Sequence, residues 1–332
     1  RIYQEAFYQN YIVSQIDFSF LSESYQAFTG GAVYFNPGVN MLMKIGTHDL
    51  FEDFKITGGF RIPLDFESSE YLLSFENLKY QLDRQYVFHR QVFKHYGGEN
   101  NSEYIKTITN EISGIYRYPL SQVNAFVTTV GLRNDRNVYL YDLDVTKLTA
   151  TLEKPDQFKY WGSLKVEYIF DNTRSLGINI LGGSRWKVFG EYYQQLNGNY
   201  DNLFVFGADF RHYLVIHRNL IWANRFAAST SLGSSRLIYY LGGVDNWTNL
   251  TPGKHPTFIP LSEIRIDETQ NYAYQAVATN MRGFSQNIRN GNSFALINSE
   301  IRWPVISYLV NRPLSNAFLQ NFQVVGFFDI GT

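Results

Sequence analysis

Apolar and polar side chains alternate over one short run after another along this chain. Over 12–20, Ile12, Ser14, Ile16, Phe18 and Phe20 alternate with Val13, Gln15, Asp17 and Ser19, the period-2 signature of a strand with one apolar face. A Gly-rich stretch (Gly30, Gly31, Asn36-Pro37-Gly38) leads into 39–46, where Met41, Met43 and Ile45 stand against Asn40 and Lys44. Phe54, Ile56, Phe60 and Ile62 against Lys55, Thr57 and Arg61 make a third strand, and the less regular runs 71–78 and 86–93 a fourth and fifth. Over 104–117, Ile108, Ile112 and Tyr116 oppose Thr109, Glu111, Ser113 and Arg117; 123–133 returns after only five residues, so these two are antiparallel neighbours. Over 161–170, Leu164, Val166, Tyr168 and Phe170 alternate with Ser163, Lys165 and Glu167. Trp186, Val188 and Tyr192 then oppose Arg185, Lys187 and Glu191, with the charges again on one face. Phe206, Phe210 and Leu214 against Asp209 and Arg211, and Leu220, Trp222 and Phe226 against Arg225, bring the count to about eleven. Two regular runs close the chain. In 293–305, Ala295, Ile297, Ile301 and Trp303 oppose Asn298, Glu300 and Arg302; after it Phe322, Val324, Phe328 and Ile330 oppose Asn321, Gln323 and Asp329.

Such alternation fits a soluble sheet and a membrane barrel equally, because only the surroundings of the two faces differ. Strand length and loop asymmetry separate them. Several runs reach the roughly 9–11 residues that a tilted strand needs to cross a bilayer. If the first strand leaves the periplasm, the short connections 118–122, 171–175 and 216–219 are periplasmic and the long ones, 134–159 and 232–292, extracellular. The predicted fold is all-β: a transmembrane antiparallel β-barrel forming a single domain over 1–332, with Asn298, Glu300 and Arg302 facing the lumen.

Composition agrees with strands rather than helices. Aromatic residues are 17% of the chain and Pro only 9 positions, an enrichment suited to strands and interfacial belts. No apolar run approaches 18 residues, which excludes a helical span but not a barrel, whose alternating faces average out. A net charge of −1 gives no basic field for nucleic acid, and the absence of Cys removes disulfides, thiolate metal sites and thiol nucleophiles together.

Covalent chemistry finds no constellation. The six histidines show no metal-ligand spacing, and His48-Asp49 with Glu52-Asp53 reads as a polar turn. Ser184 follows Gly182-Gly183 but lacks the downstream Gly of a nucleophile elbow. Asp142 and Asp144 near Asp135 read as solvated carboxylates of a surface loop, and Asn246-Trp247-Thr248 is only formally a glycosylation sequon. No catalytic residue, metal site or cofactor is expected, and the chain is not expected to be an enzyme.

One order of short motifs says more. Asn280-Met281-Arg282-Gly283-Phe284, then one strand, then Phe327-Phe328-Asp329-Ile330-Gly331, resembles the outer-membrane assembly barrels of the BamA superfamily. In that family the extracellular loop before the twelfth strand folds back into the barrel and its Arg meets the Asp of the thirteenth. The resemblance implies a loop-to-lumen lock made by Arg282, Gly283 and Phe284 with Asp329, Phe327 and Gly331; Met281 replaces the usual Val. Pinning a long loop costs conformational entropy, which charge-assisted hydrogen bonds at an Arg can offset. Gly283 would allow close backbone approach and Phe284 would anchor the tip. About 13 of an expected 16 strands are present, so the chain reads as a barrel lacking its last strands, with its export signal upstream of Arg1. Asp49-Leu50-Phe51-Glu52-Asp53, Ile56-Thr57-Gly58-Gly59-Phe60-Arg61 and Phe88-His89-Arg90-Gln91 resemble, more narrowly, Bacteroidota proteins in which a TolB-like propeller precedes such a barrel. The resemblance implies a bacterial outer-membrane location and non-covalent insertion or translocation of client polypeptides. Its implied partners are outer-membrane lipid and client chains or a larger envelope complex, with no nucleic acid. A plugged accessory barrel of a secretion or surface-lipoprotein machine, and a porin-like or nutrient transporter, are the alternatives.

Overall fold

The computed structural model describes residues 7–17, 21–22, 24–28, 40–63, 68–97, 103–142, 154–242, 266–267, 269–282, 284, 287–310 and 315–332. Its strands are β1 (Phe7–Asp17), β2 (Gln26–Ala27), β3 (Asn40–Asp49), β4 (Phe54–Pro63), β5 (Ser69–Asn77), β6 (Asp83–Gly97), β7 (Glu103–Pro119), β8 (Asn124–Asp142) and β9 (Gln157–Asp171). They continue as β10 (Arg174–Gly177), β11 (Ile180–Gln195), β12 (Asn202–His217), β13 (Leu220–Leu232), β14 (Arg236–Gly242), β15 (Tyr272–Asn280), β16 (Arg289–Gly291), β17 (Ser293–Trp303) and β18 (Val324–Gly331). Two short helices, α1 (Val305–Leu309) and α2 (Ala317–Asn321), lie between the last two.

The wall runs in the order β1-β3-β4-β5-β6-β7-β8-β9-β11-β12-β13-β17-β18, with β10 extending the edge of β11. Every pair along it is antiparallel, and its thirteen strands match the number expected from periodicity. The two faces differ as the alternation requires. Val166, Phe210 and Ile297 point outward, each more than 40% exposed. Lys165, by contrast, reaches Glu191 at 3.1 Å and Glu167 at 3.3 Å on the inner face. Outward aromatics form a ladder across five strands: Phe126 to Tyr168 (4.9 Å between centroids), Tyr168 to Trp186 (5.4 Å), Trp186 to Phe210 (5.8 Å) and Phe210 to Phe226 (6.5 Å).

A second sheet, β16-β14-β15-β2, lies against the inner face. β14 and β15 pair in parallel, β16 pairs antiparallel to β14, and β2 antiparallel to β15. This sheet builds the core. Leu237, Tyr239 and Tyr274 pack with Trp161 of β9 and Leu203 and Val205 of β12, while Ile238 and Tyr240 pack with Tyr272 on its other side. Polar wall side chains receive its backbone: the Ser231 hydroxyl donates to Leu237 O (2.8 Å) and accepts from the Leu237 N–H (3.0 Å). Beside Trp161 on the next strand, the Arg133 guanidinium of β8 lies 4.4 Å from the centre of the Tyr274 ring. Entry from β13 into this sheet turns at Gly233, whose φ of +125° and proximity to Asn202 O (2.4 Å from where a Cβ would sit) leave room only for Gly.

Several expectations need correction. The region 232–292 is no simple extracellular loop: its described residues include β14, β15 and β16 folded against the wall. Residues 134–142 continue β8 instead of opening a loop, because Asn137 and Asp135 accept hydrogen bonds from Thr107 (2.9 Å) and Thr109 (2.6 Å) across the ladder. Asp135 is thus a buried wall residue that also accepts from Arg133 at 3.0 Å, and not a loop carboxylate; Asp144 and Asn246-Trp247-Thr248 lie outside the described residues. Asn321 belongs to α2 and Phe322 caps it, so neither lies on the last strand as expected; Asn316 starts α2 by accepting from the N–H groups of Phe318 and Leu319. β1 ends at Asp17, and Phe18, Ser19 and Phe20 lie outside the described residues.

The packing of the inner sheet gives a first prediction. Leu237→Ala, at a fully buried position, is expected to cost about 2–5 kcal/mol in denaturant unfolding of the detergent-solubilised protein. Leu120→Ala in an exposed turn should stay within about 0.5 kcal/mol. Equal losses at the two sites would mean that β14 is not part of a packed core.

Candidate functional site: a loop clamped to the inner wall

The site begins with the register of β17 and β18. Asn298, Glu300 and Arg302 recur at every second residue of β17 on its lumen side, and Asp329 sits directly opposite Asn298 and Phe327 opposite Glu300. β15 ends at Asn280 and delivers Met281 and Arg282 to this patch. The turn is fixed by the inner sheet itself, since the Met281 N–H donates to Gly242 O at 3.0 Å and the Ile288 N–H to Leu241 O at 2.9 Å.

Arg282 then engages the wall with its main chain and side chain together. Its backbone N–H and its Nε both donate to Asp329 Oδ2, at 2.9 and 3.0 Å, and Nη2 donates to Oδ1 at 2.9 Å. This is the bidentate geometry for which a planar guanidinium is suited. Nη1 donates to Glu300 Oε1 at 2.6 Å, and the guanidinium lies over the Phe327 ring, 4.0 Å from its centre. Asn298 Nδ2 donates to Asp329 Oδ1 (2.9 Å), and Arg302 Nε donates to Glu300 Oε2 (2.9 Å). The Asp329 side chain is only 1% exposed. Hydrogen bonding to Asp329, with the charge of Glu300, holds the Arg282 guanidinium above its ordinary pKa range.

Of the residues expected in the lock, the structure brings Arg282, Asp329, Phe327 and Gly331 together. Gly331 is needed for space: a Cβ there would lie 3.0 Å from both Met281 Sδ and Leu296 Cβ. Gly283 lies outside the described residues. Phe284 is not the apolar anchor expected of it, being 39% exposed; Met281, 2% exposed and packed with Ala227, Leu241 and Leu296, holds that position. A long flexible thioether fits the irregular gap that a β-branched residue would fill differently. Glu300, expected only as a lumen-facing residue, is a direct second partner of Arg282.

A further tie joins the inner sheet to the wall. Arg225 donates from Nη1 to Thr279 Oγ1 on β15 (2.7 Å) and from Nη2 to Asp209 (2.6 Å), which also accepts from Arg211. A cavity of about 340 Å³ opens beside the clamp, lined by Arg211, Arg225, Arg282 and Arg302 among others. Among the described residues no group of three His, Asp or Glu side chains could hold a metal ion. The arrangement positions backbone.

No family model matches the chain, and no curated protein matches it. Among solved structures, the crystal structure of BamA from Haemophilus ducreyi lacking POTRA domains 1-3 superposes with a TM-score of 0.56 at 12% identity, covering 98% of this chain and 63% of that one. The chain has the fold of a BamA-type barrel. It spans less than two thirds of that chain's length. In this BamA-type wall the clamp joins a connection following the eleventh wall strand to the twelfth and thirteenth.

The geometry predicts coupling. Arg282→Ala leaves an almost fully buried carboxylate at Asp329 without its cation, and Asp329→Ala leaves the guanidinium with Glu300 alone. In a double-mutant cycle read by denaturant unfolding, the pair should cost less than the sum of the singles by about 0.5–3 kcal/mol. Simple additivity would show that the contact contributes nothing to holding the loop.

Proposed function

We propose that this chain is the barrel of a bacterial outer-membrane protein that inserts or translocates polypeptides by binding and templating, without covalent chemistry. The observation that carries the reading is a BamA-type wall whose inner face is occupied by a folded sheet, clamped to it through Arg282. A diffusive pore would need that space for solute. Location in a membrane is supported by the outward ladder of aromatics and by the exposed apolar side chains of Val166, Phe210 and Ile297. An accessory barrel of a larger envelope machine would use the same plug. The narrower resemblance to propeller-barrel proteins adds a periplasmic propeller upstream as part of this proposal.

Photo-reactive residues placed along β1 and the inner wall of the full-length protein in cells should capture newly made outer-membrane proteins. Capture of one fixed partner set, unchanged when synthesis of outer-membrane proteins is stopped, would favour the accessory reading. Large ohmic conductance in planar bilayers would favour the pore.

The membrane reading has its own check. Ile297→Arg or Phe210→Arg should destabilise the bilayer-inserted protein by about 2–4 kcal/mol where the site lies near the midplane, while Asn298→Arg on the inner face costs far less. Equal costs on both faces would mean that the outer face does not meet lipid.

A further inference from the structure

Away from the Arg282 clamp, the wall carries a second buried carboxylate that holds chain from a different connection. Glu70 on β5 is 0% exposed and receives four donors. Two come from neighbouring wall strands: Arg61 Nε to Oε2 at 2.9 Å, and His89 Nε2 within 2.7 Å of Oε1. The other two are main-chain N–H groups of the connection between β1 and β3, Leu21 to Oε2 at 2.9 Å and Ser22 to Oε1 at 3.2 Å. Leu21 also packs on Gly59 of β4, its Cδ2 3.2 Å from where a Cβ would be. The same segment continues inward. Arg133 Nη1 donates to Tyr25 O at 2.6 Å, the Phe28 N–H donates to Ala273 O at 3.0 Å, and Gln26 and Ala27 form β2.

The order of the inner sheet decides what this second node can do. β2 is its edge strand, paired with β15 through only Gln26–Gln275 and Ala27–Tyr274. β15 keeps β14 on its other side and Arg282 at its end, so β2 can leave without breaking any other pairing in the sheet. A two-residue edge strand contributes little by itself. Its retention rests on the backbone held at Glu70, on Tyr25, and on Phe28, which donates to Ala273 O and packs on Tyr272 at 5.2 Å between ring centres. We infer that Glu70, with Arg61 and His89, is a second and independent latch, and that the residues it holds, 21–22 and 24–28, are a movable edge of the plug whose release opens the lumen along β4 to β6 while the Arg282-clamped sheet stays in place. The inference rests on the inner sheet and not on what the barrel handles.

The chain has no Cys, so single-thiol reporters placed in it are unambiguous once any Cys elsewhere in the full-length protein is replaced by Ser. Gln26→Cys, buried on β2, reports the movable segment; Leu241→Cys, buried beside Met281, reports the clamped part. In the purified full-length protein in detergent, Glu70→Gln should raise maleimide labelling of Gln26→Cys by about tenfold or more, since a buried charge-assisted network is lost, and leave Leu241→Cys unchanged. Leu21→Pro removes a donor and the Leu21 contact with Gly59 from the loop side while leaving every wall residue unchanged, and should act in the same direction, which keeps the test valid if Glu70→Gln fails to fold. Labelling of Gln26→Cys that does not change in the folded variants overturns the latch. Equal rises at both reporters overturn its independence, because the inner sheet would then be moving as one body.

Discussion

A carboxylate almost closed to solvent at Asp329, met by both the main chain and the guanidinium of Arg282, is the constraint from which the interior of this molecule follows. Backbone placed inside a barrel must satisfy its own N–H and C=O groups, and an irregular loop cannot do so along its whole length. The inner sheet solves most of this by pairing β14, β15, β16 and β2 with one another. What remains is the turn after β15, where ladder pairing ends. Asp329 accepts the orphan N–H of Arg282, and Glu300 and Phe327 occupy the rest of the guanidinium. The clamp therefore stands where secondary structure runs out, and Gly331 leaves the space for Met281 to pack beneath it.

The wall was legible because each of its strands separates two environments. Period-2 alternation recorded this at Leu164–Phe170 or Ala295–Trp303 whatever the medium outside, and the connection lengths supplied the order of neighbours. The inner sheet left no such record. Over β14, Leu237 to Leu241 are all buried, some against the wall and some against Tyr272, so the sequence reads as a short apolar run inside a presumed loop. Its parallel pairing with β15 is non-local and has no turn signal. The polar run at Asn134 to Asn137 misled for the opposite reason: Asp135 and Asn137 pair across the ladder on the inner face while Arg136 on the other face meets Asp156, so here the strand is polar on both sides and shows no alternation. Glu70 was invisible because its partners converge from Leu21, Arg61 and His89, which no short motif joins. Asn316 ahead of Ala317-Phe318-Leu319 was a readable helix cap, hidden by extending the last strand back to Phe322.

Met281 and Phe284 show where resemblance and physics part. The motif suggested Phe284 as anchor because it is the large apolar residue beside Arg282. The structure uses Met281 instead: just past the end of β15 its N–H donates to Gly242 O, and its side chain packs with Ala227, Leu241 and Leu296. Which residue packs is thus set by the direction in which β15 ends, a property of the whole inner sheet.

The inner wall carries its charges as compensated groups: Lys187, Glu167, Lys165 and Glu191; Arg211, Asp209 and Arg225; Arg302, Glu300, Arg282 and Asp329. Partly buried charges left single would each carry a desolvation cost, and pairing them across adjacent strands removes much of it. The pairing also couples the plug to the wall electrically. Arg282 belongs at once to these groups and to the ties that hold β15, and Arg225 holds Thr279, so moving the clamped sheet would strip Arg282 from Glu300 and Asp329 and Thr279 from Arg225 together. Residues 21–22 and 24–28 are tied differently, through backbone N–H groups donated to a carboxylate that keeps Arg61 and His89 when they leave, and through a backbone O held by Arg133, which keeps Asp135. The cost of opening is therefore unequal around the lumen, and the side facing β4 to β6 is the one on which chain can depart without leaving an uncompensated charge behind.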